Sequence, residues 1–418
     1  MGLYPGVMTR PLVATPQAPV LPRILLREGE AVAPASAGPA GGAAGAATAG
    51  PGMRVVIAGG GTGGHLFPGI ALAEEIQRRG GEVHFVGTAR GIEARAVPEQ
   101  GYPLALIDVA GIKGRGLGGL VRGLLRLPRA WWQSLRLLRR LRPDVVVGVG
   151  GYASGPVVAT AAMLRIPTAI LEQNSIPGIT NRILSRLVRK VFCTFPDVRG
   201  RFPARKVVLA GNPIRRQILG QLVAAGETTS AAATAAARRP RLFVFGGSQG
   251  ARAINDAVLA ALPALVERLP ELEIWHQTGK ADEARVRDGY AALGLGEPRA
   301  RVAAFLKNMA EPYAWCDLVL CRAGATSLAE LTAVGKPAVL VPFPHATDNH
   351  QEWNARALVD AGGAVLLRES EWTPAALADT LAGLLQAPDR LAVMSDAMRS
   401  AARPDAARTI VDAMSAWR

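Results

Sequence analysis

Cysteine is scarce: three occur in 418 residues, Cys193, Cys316 and Cys321, with no spaced pair among them. That excludes a disulfide framework and a cysteine-ligated metal. Cys316 and Cys321 flank an expected strand, which suits small buried thiols of a reducing compartment. Acid is scarce too, with 33 Asp and Glu against 48 Lys and Arg, an excess of 15. Such an excess favours polyanionic partners such as nucleic acid, anionic lipid or a phosphorylated substrate, unless it reflects a coding bias toward Arg, Ala, Gly and Pro. No nucleic-acid-binding module or regular aromatic platform is present, so no nucleic acid is expected as partner. No Asp-x-Asp pair is present to hold a divalent cation, and neither metal nor cofactor is expected.

Long apolar helices are also missing. The stretch between Asp144 and Arg165 carries no charge, but it contains Gly148, Gly150, Gly151, Gly155 and Pro156. A strand, a glycine loop and a helix start explain it better than a membrane span. The N-terminus lacks a basic start followed by a long apolar run, so no secretory signal is expected.

At this length two domains are the natural expectation. Residues 1–52 are dominated by Ala, Gly and Pro without periodicity, and are expected to be a disordered extension; Met53 is an alternative start. From Met53 the pattern repeats strand, loop, helix. Val55 to Ala58, Val83 to Val86, Val145 to Val149 and Thr168 to Leu171 read as buried strands of a first domain, 53–212. An Ala- and Thr-rich segment, 213–240, reads as a linker. A second series spans 241–388, with strands at Leu242 to Phe245, Ile274 to Gln277, Leu318 to Cys321 and Ala338 to Val341. The final helical segment, 389–418, is free to return to either half. The expected fold class is α/β: two Rossmann-like, doubly wound domains facing across a cleft.

Each series opens with a strand that runs into glycines and then a helix, Gly59-Gly60-Gly61-Thr62-Gly63-Gly64-His65 and Gly246-Gly247-Ser248-Gln249-Gly250-Ala251. Such turns offer bare backbone N–H groups and a helix dipole to an anion. Gly59, Gly61 and Gly64 have the dinucleotide-binding spacing. The second strand, however, ends Val86-Gly87-Thr88 without the acid that would hold a ribose, and the nearest acid is Glu93. A nicotinamide or flavin enzyme is therefore disfavoured.

Four features of the second half suit a nucleoside diphosphate. Ser248 places a hydroxyl beside loop amides. Arg215, in Gly211-Asn212-Pro213-Ile214-Arg215, is a cation at the domain junction. The segment Cys321 to Glu330 reads as strand end, loop and helix start, with Glu330 placed to accept from a ribose diol; Ser327-x-x-Glu330 is equally a capping box that needs no ligand. In Pro342 to Gln351, Asn349 and Gln351 can read sugar hydroxyls, or the segment is a solvated turn capped by Asp348.

These motifs in this order resemble the MurG family, bacterial transferases that move N-acetylglucosamine from UDP-N-acetylglucosamine to undecaprenyl-pyrophosphoryl-muramyl-pentapeptide. The resemblance runs from Met53 to the C-terminus. Besides the motifs above it rests on Gly150-Gly151-Tyr152-Ala153-Ser154-Gly155-Pro156, Glu172-Gln173-Asn174, Trp275-His276-Gln277-Thr278-Gly279-Lys280 and Gln351-Glu352-Trp353-Asn354. It implies a GT-B fold, donor mainly on the second domain and lipid-linked acceptor on the first. It also implies donor-site positions at Thr62, Gly63, Gly64, Asn174, Arg215, Ser248, Leu306, Ala325, Thr326, Ser327, Leu328, Ala329, Glu330 and Gln351, with Leu306 offering its backbone to uracil. The implied location is peripheral, on the cytoplasmic side of the inner membrane. The N-terminal extension and Ala-rich linker depart from the family pattern without touching a motif.

Attack by the sugar 4-hydroxyl on the face opposite UDP inverts the anomeric carbon and needs one general base. His65 is the candidate for that base or for orienting it; a loop-capping or phosphate-contacting histidine is the alternative. From Lys113 to Arg142 there are nine basic residues and no acid, interleaved with Leu124, Leu125, Trp131, Trp132, Leu135 and Leu138. That mixture suits a lipid headgroup interface, or an amphipathic helix packed on its sheet with a solvated Arg face.

Overall fold

A computed structural model describes residues 52–109, 116–197, 199–216, 218–221, 239–247 and 249–417, with backbone alone over 116–126. The expected disordered extension, most of the linker, Ser248, and the side chains of Lys113, Leu124 and Leu125 lie outside the described residues.

Strands β1 (Arg54–Gly59), β2 (Glu82–Gly87), β3 (Leu104–Leu106), β4 (Val145–Gly150), β5 (Thr168–Glu172), β6 (Lys190–Cys193) and β7 (Val207–Leu209) form one parallel sheet in the order β3-β2-β1-β4-β5-β6-β7. Strands β8 (Arg241–Phe245), β9 (Glu273–Gln277), β10 (Ala300–Ala303), β11 (Leu318–Cys321), β12 (Ala338–Leu340) and β13 (Ala364–Leu366) form a second, in the order β10-β9-β8-β11-β12-β13. Every residue of β4, β5 and β11 is buried, because helices cover both faces and leave no solvated side for alternation. Those uninterrupted apolar runs are the strands that the sequence marks. The strands it does not mark are β3, β6, β7, β10 and β13. All have three or four residues and lie in the outer part of a sheet, where partial exposure breaks the run.

The two sheets and their helices belong to one compact unit. The helix Ala406–Ser415 lies on the helix Gly63–Arg78, adding Ile410, Val411 and Met414 to the core of the first sheet. Arg79 pairs with Asp412 across this contact at 2.6 Å. The chain therefore crosses back from the second half to the first after the helix Pro388–Ala401, whose Met398 is buried in the second half's core.

Candidate active site

In the first sheet the neighbouring strands β1 and β4 end at Gly59 and Gly150, paired across a register shift. Strand order reverses between them, and again between β8 and β11 in the second sheet, which is where open parallel sheets leave a crevice. The Gly60 N–H donates to the Gly150 carbonyl at 3.2 Å. Gly151 lies so close that a Cβ there would collide with the Gly60 carbonyl.

The first glycine loop is not a bare cradle of amides. Glu93 starts the helix Glu93–Glu99 and turns its buried carboxylate under the loop, where it accepts from Gly61 N at 2.6 Å and from Thr88 N and Oγ1 at 2.9 Å. Gly60, Gly87 and Gly91 all press on this side chain and leave no room for a Cβ. A carboxylate beneath the turn repels a phosphate at that point. What the loop still presents is Thr62 and Gly64, both exposed, and half-buried Gly63, at the start of the helix Gly63–Arg78.

His65 is the third residue of that helix and is half-buried. Gln173 decides its tautomer. The Gln173 Nε2 donates to the Val149 carbonyl at 3.0 Å, so its Oε1 faces His65 Nδ1, 3.1 Å away, and that nitrogen carries the hydrogen. The Nε2 lone pair is left to accept. Burial lowers the imidazole below its ordinary 6.5, the bond to Gln173 opposes this, and the charge of His350 on the other half adds to it. Room for the ring comes from Gly150, since a Cβ there would lie 2.7 Å from Nδ1.

Next to Gln173, Glu172 is buried at the end of β5 and accepts from Asn174 N (3.1 Å), Gly178 N (3.2 Å) and Asn181 Nδ2 (2.8 Å). Burial pushes it up to about 7 against those three donors. The turn it holds delivers Asn174 to the second half. Asn354, on the helix His350–Asp360, accepts from Ser175 N at 2.8 Å and donates to Asn174 Oδ1 at 3.2 Å and the Ala323 carbonyl at 3.3 Å.

The second half faces this with the helix Ala325–Val334, which carries Ala325, Thr326, Ser327, Leu328, Ala329 and Glu330. Its N-cap is Gly324, so Ser327 and Glu330 lie inside the helix and the capping box does not form. Glu330 instead accepts from the Tyr313 hydroxyl at 3.2 Å. Burial raises it to about 7, with Tyr313 and the charge of Arg215 pulling the other way. The Thr326 hydroxyl is buried without a partner among the described residues. Arg215 lies 4.8 Å over the Phe67 ring of the first half, so this cation touches one half and acts on the carboxylate of the other.

In the loop before the helix His350–Asp360 the N-cap position falls one residue after Asp348. The N-cap is Asn349, left-handed at φ 55°, and its Nδ2 donates to Glu352 at 2.6 Å. Gln351 Oε1 accepts from Phe343 N at 3.0 Å, and its Nε2 is not used in that bond. Arg322, pinned between the Pro342 carbonyl and Glu369, stacks 5.4 Å from Phe343 and holds the loop. Leu306 follows β10, half-buried against the core below the loop crest at exposed Phe305.

The cleft thus collects His65, Asn174, Arg215 and Glu330 around contacts that join the two halves. Gln173, Asn354, Phe67 and Tyr313, which position them, were not singled out as site residues in the sequence. Only Gln173 and Asn354 carried a signal, as neighbours within recognised motifs.

The sequence model of the glycosyltransferase family 28 N-terminal domain matches residues 55–193, and that of the family 28 C-terminal domain matches 241–410. A UDP-N-acetylglucosamine–N-acetylmuramyl-(pentapeptide) pyrophosphoryl-undecaprenol N-acetylglucosamine transferase of Anaeromyxobacter dehalogenans is 53% identical over 362 residues, covering 86% of this chain and 92% of that protein. The protein of the same name from Geobacter sulfurreducens is 47% identical over 364 residues, covering 87% and 98%. The crystal structure of Acinetobacter baumannii MurG superposes with a TM-score of 0.71 at 32% identity, covering 87% and 99%. A UDP-GlcNAc 2-epimerase from Neisseria meningitidis, at TM-score 0.60 and 13% identity over 87% of this chain and 100% of that one, shares the fold alone. The chain belongs to the MurG family of GT-B glycosyltransferases.

Proposed function

We propose that this enzyme transfers N-acetylglucosamine from UDP-N-acetylglucosamine to the 4-hydroxyl of undecaprenyl-pyrophosphoryl-N-acetylmuramyl-pentapeptide, with inversion, in peptidoglycan synthesis. The observation that carries the mechanism is the Gln173-fixed tautomer of His65, which leaves an unprotonated Nε2 on a side chain close enough to the second half to feel the charge of His350. His65 takes the proton of the acceptor 4-hydroxyl as that oxygen bonds to the anomeric carbon. The bond from that carbon to the β-phosphate oxygen breaks on the opposite face, and UDP leaves with the electron pair. Attack from the rear turns an α-linked donor into a β-1,4 product.

The developing charge on UDP is met by Arg215, the half-buried start of the helix Ala325–Val334 with Thr326 in its first turn and, from the sequence, Ser248. Glu330 accepts from the ribose diol, Gln351 Nε2 and Asn174 reach the sugar, and the Leu306 backbone reads uracil. Thr62, Gly63 and Gly64 close over the donor from the first half.

The acceptor brings its lipid to the first half. On the helix Gly116–Leu141, Ala130, Ser134, Leu137 and Leu138 face inward, while Trp131, Trp132, Arg136, Arg139 and Arg140 face out. Arg136 lies 5.5 Å over the Trp132 ring. A groove of about 390 Å³ runs beside Trp132 to Leu106 and Ile107. Exposed indoles flanked by guanidinium groups support a peripheral contact with anionic lipid on the cytoplasmic face of the inner membrane. No helix among the described residues is long and apolar enough to cross a membrane.

Radiolabelled UDP-N-acetylglucosamine, incubated with and without the muramyl lipid in the presence of chelator, tests the reaction. Label should enter the lipid fraction only with acceptor and should persist in chelator. Acceptor-independent release of UDP would sink the assignment. In flotation assays with anionic vesicles, Trp131→Ser/Trp132→Ser should remain in the soluble fraction, and equal recovery with the lipid would remove the membrane face.

A further inference from the structure

Of the motifs that stand out in the sequence, Trp275 to Lys280 has no part in the transfer as described so far. It ends β9, which lies beside β8 and so beside the second glycine turn. The two glycine turns look alike in sequence, yet the fold draws opposite backbone groups inward. In the first turn the inward group is an N–H, that of Gly61, which Glu93 accepts at 2.6 Å. In the second it is a carbonyl: Gly247 O accepts from Gln277 Nε2 at 2.9 Å, and from Gly250 N, which closes the turn, at 2.9 Å. Gln277 is 2% exposed, so its amide lies under the turn and away from solvent.

Two kinds of contact act on this turn, and they do different things. Gly250 packs on the Thr278 carbonyl and Gly279 on the Gln249 carbonyl, both without room for a Cβ. Thr278 N and Gly279 N in turn bond to the carbonyls of Ala303 and Ala304, at 3.0 and 3.1 Å. These backbone contacts fix where the turn sits. The direction of its peptide is a separate matter, because Gly247, at φ 103°, has no Cβ to hinder rotation of the peptide group that follows. A trans peptide sets its C=O and N–H on opposite sides. A Gly247 carbonyl held inward therefore sends outward the N–H of the same peptide group, which attracts a phosphate oxygen where a carbonyl would repel it.

We propose that Gln277 is a positioning residue of the donor site, which aims the amide after Gly247 at the diphosphate without touching it. This rests on the reading that places the donor diphosphate at the second turn.

The test compares dissociation constants of UDP and of uridine, measured by calorimetry on the full-length enzyme. Gln277→Met keeps the length and bulk of the side chain but cannot donate. It should weaken UDP by about tenfold and leave uridine, which has no phosphate, within about twofold of wild type. Tyr290→Phe is the comparison. It removes the buried hydroxyl that donates to His276 Nδ1 at 3.0 Å, one position from Gln277, and leaves the bond to Gly247 in place. Both affinities should survive that change. Unaltered UDP affinity in Gln277→Met, equal losses for UDP and uridine, or a matched UDP loss in Tyr290→Phe would overturn the proposal. Wild-type enzyme that holds UDP no more tightly than uridine would sink the donor reading as well, an outcome visible before any variant is made.

Discussion

At the scale of single residues, the site sets a lowered base, His65, against two carboxyl groups raised to about 7, Glu330 and Glu172. His65 is lowered from 6.5 by burial, so it is still an unprotonated base where an ordinary imidazole is half protonated. Glu330 is raised to about 7 by burial. As pH falls through 7 the Glu330 carboxylate takes a proton and gives up one of its acceptor sites, so its hold on a ribose diol weakens while His65 remains competent. Initial rates measured from pH 8 to 6 should show the donor KM rising below about 7 while kcat declines only below 6.5. In Glu330→Gln the KM should already be raised and should depend less on pH over that range, with Glu172 the remaining group that titrates there; a flat wild-type KM would refute the role. His65→Ala should lower kcat by at least about a hundredfold with little change in donor KM. Near-normal turnover would leave His65 a structural residue.

At the scale of the element, the turn after β4 is shaped by what its glycines must admit. Gly150 has φ 97°, and a Cβ there would stand 2.7 Å from His65 Nδ1. Gly101 also has positive φ, 77°, but nothing lies within 4 Å of its would-be Cβ. Gly150→Ala and Gly101→Ala should therefore each cost about 1 kcal/mol or more of stability through backbone strain. Only Gly150→Ala should also lower kcat, by about tenfold or more, as the ring is pushed off Gln173. Matched kcat losses in both variants would mean that strain alone is at work. The comparison shows where the sequence could be read and where it could not. The glycine turns and the inner strands stand out because runs such as Val145 to Val149 and Leu318 to Cys321 carry their burial in their own composition. What the glycines make room for does not. Gly61 meets Glu93 32 positions away, and His65 meets Gln173 108 positions away, pairings that only the closed sheet creates. Local spacing also misled: Ser327 and Glu330 have the interval of a capping box, but the helix already starts at Ala325, on the turn of chain leaving β11.

At the scale of the molecule, the cleft exists because a few polar contacts hold two separate cores together. Asn354 is central among them, since one amide bonds to Ser175 N, Asn174 Oδ1 and the Ala323 carbonyl and so ties the turn after β5 to the strand end of the second half. Arg199 stacked 4.8 Å over Trp353, and Arg216 N bonded to Glu74 at 2.8 Å, act beside it. Asn354→Ala removes all three bonds and leaves Ser175 N buried and unmet, a penalty of about 1–3 kcal/mol against the closed arrangement. Opening the halves relieves that penalty by admitting water, so the open population should grow. Asn354→Asp is nearly isosteric but brings a second acceptor against the Asn174 and Ala323 oxygens, and should unlatch the halves as well. Both variants should raise the donor KM more than they lower kcat, because saturating donor restores closure by mass action. Small-angle scattering should find a larger radius of gyration than wild type without ligand, returning to the wild-type value in excess UDP. If Asn354→Ala left both the ligand-free radius and the donor KM unchanged, the halves would be held by the Arg199 and Arg216 contacts and the packing of the helix Ala406–Ser415, and the bonds at Asn354 would be incidental to closure.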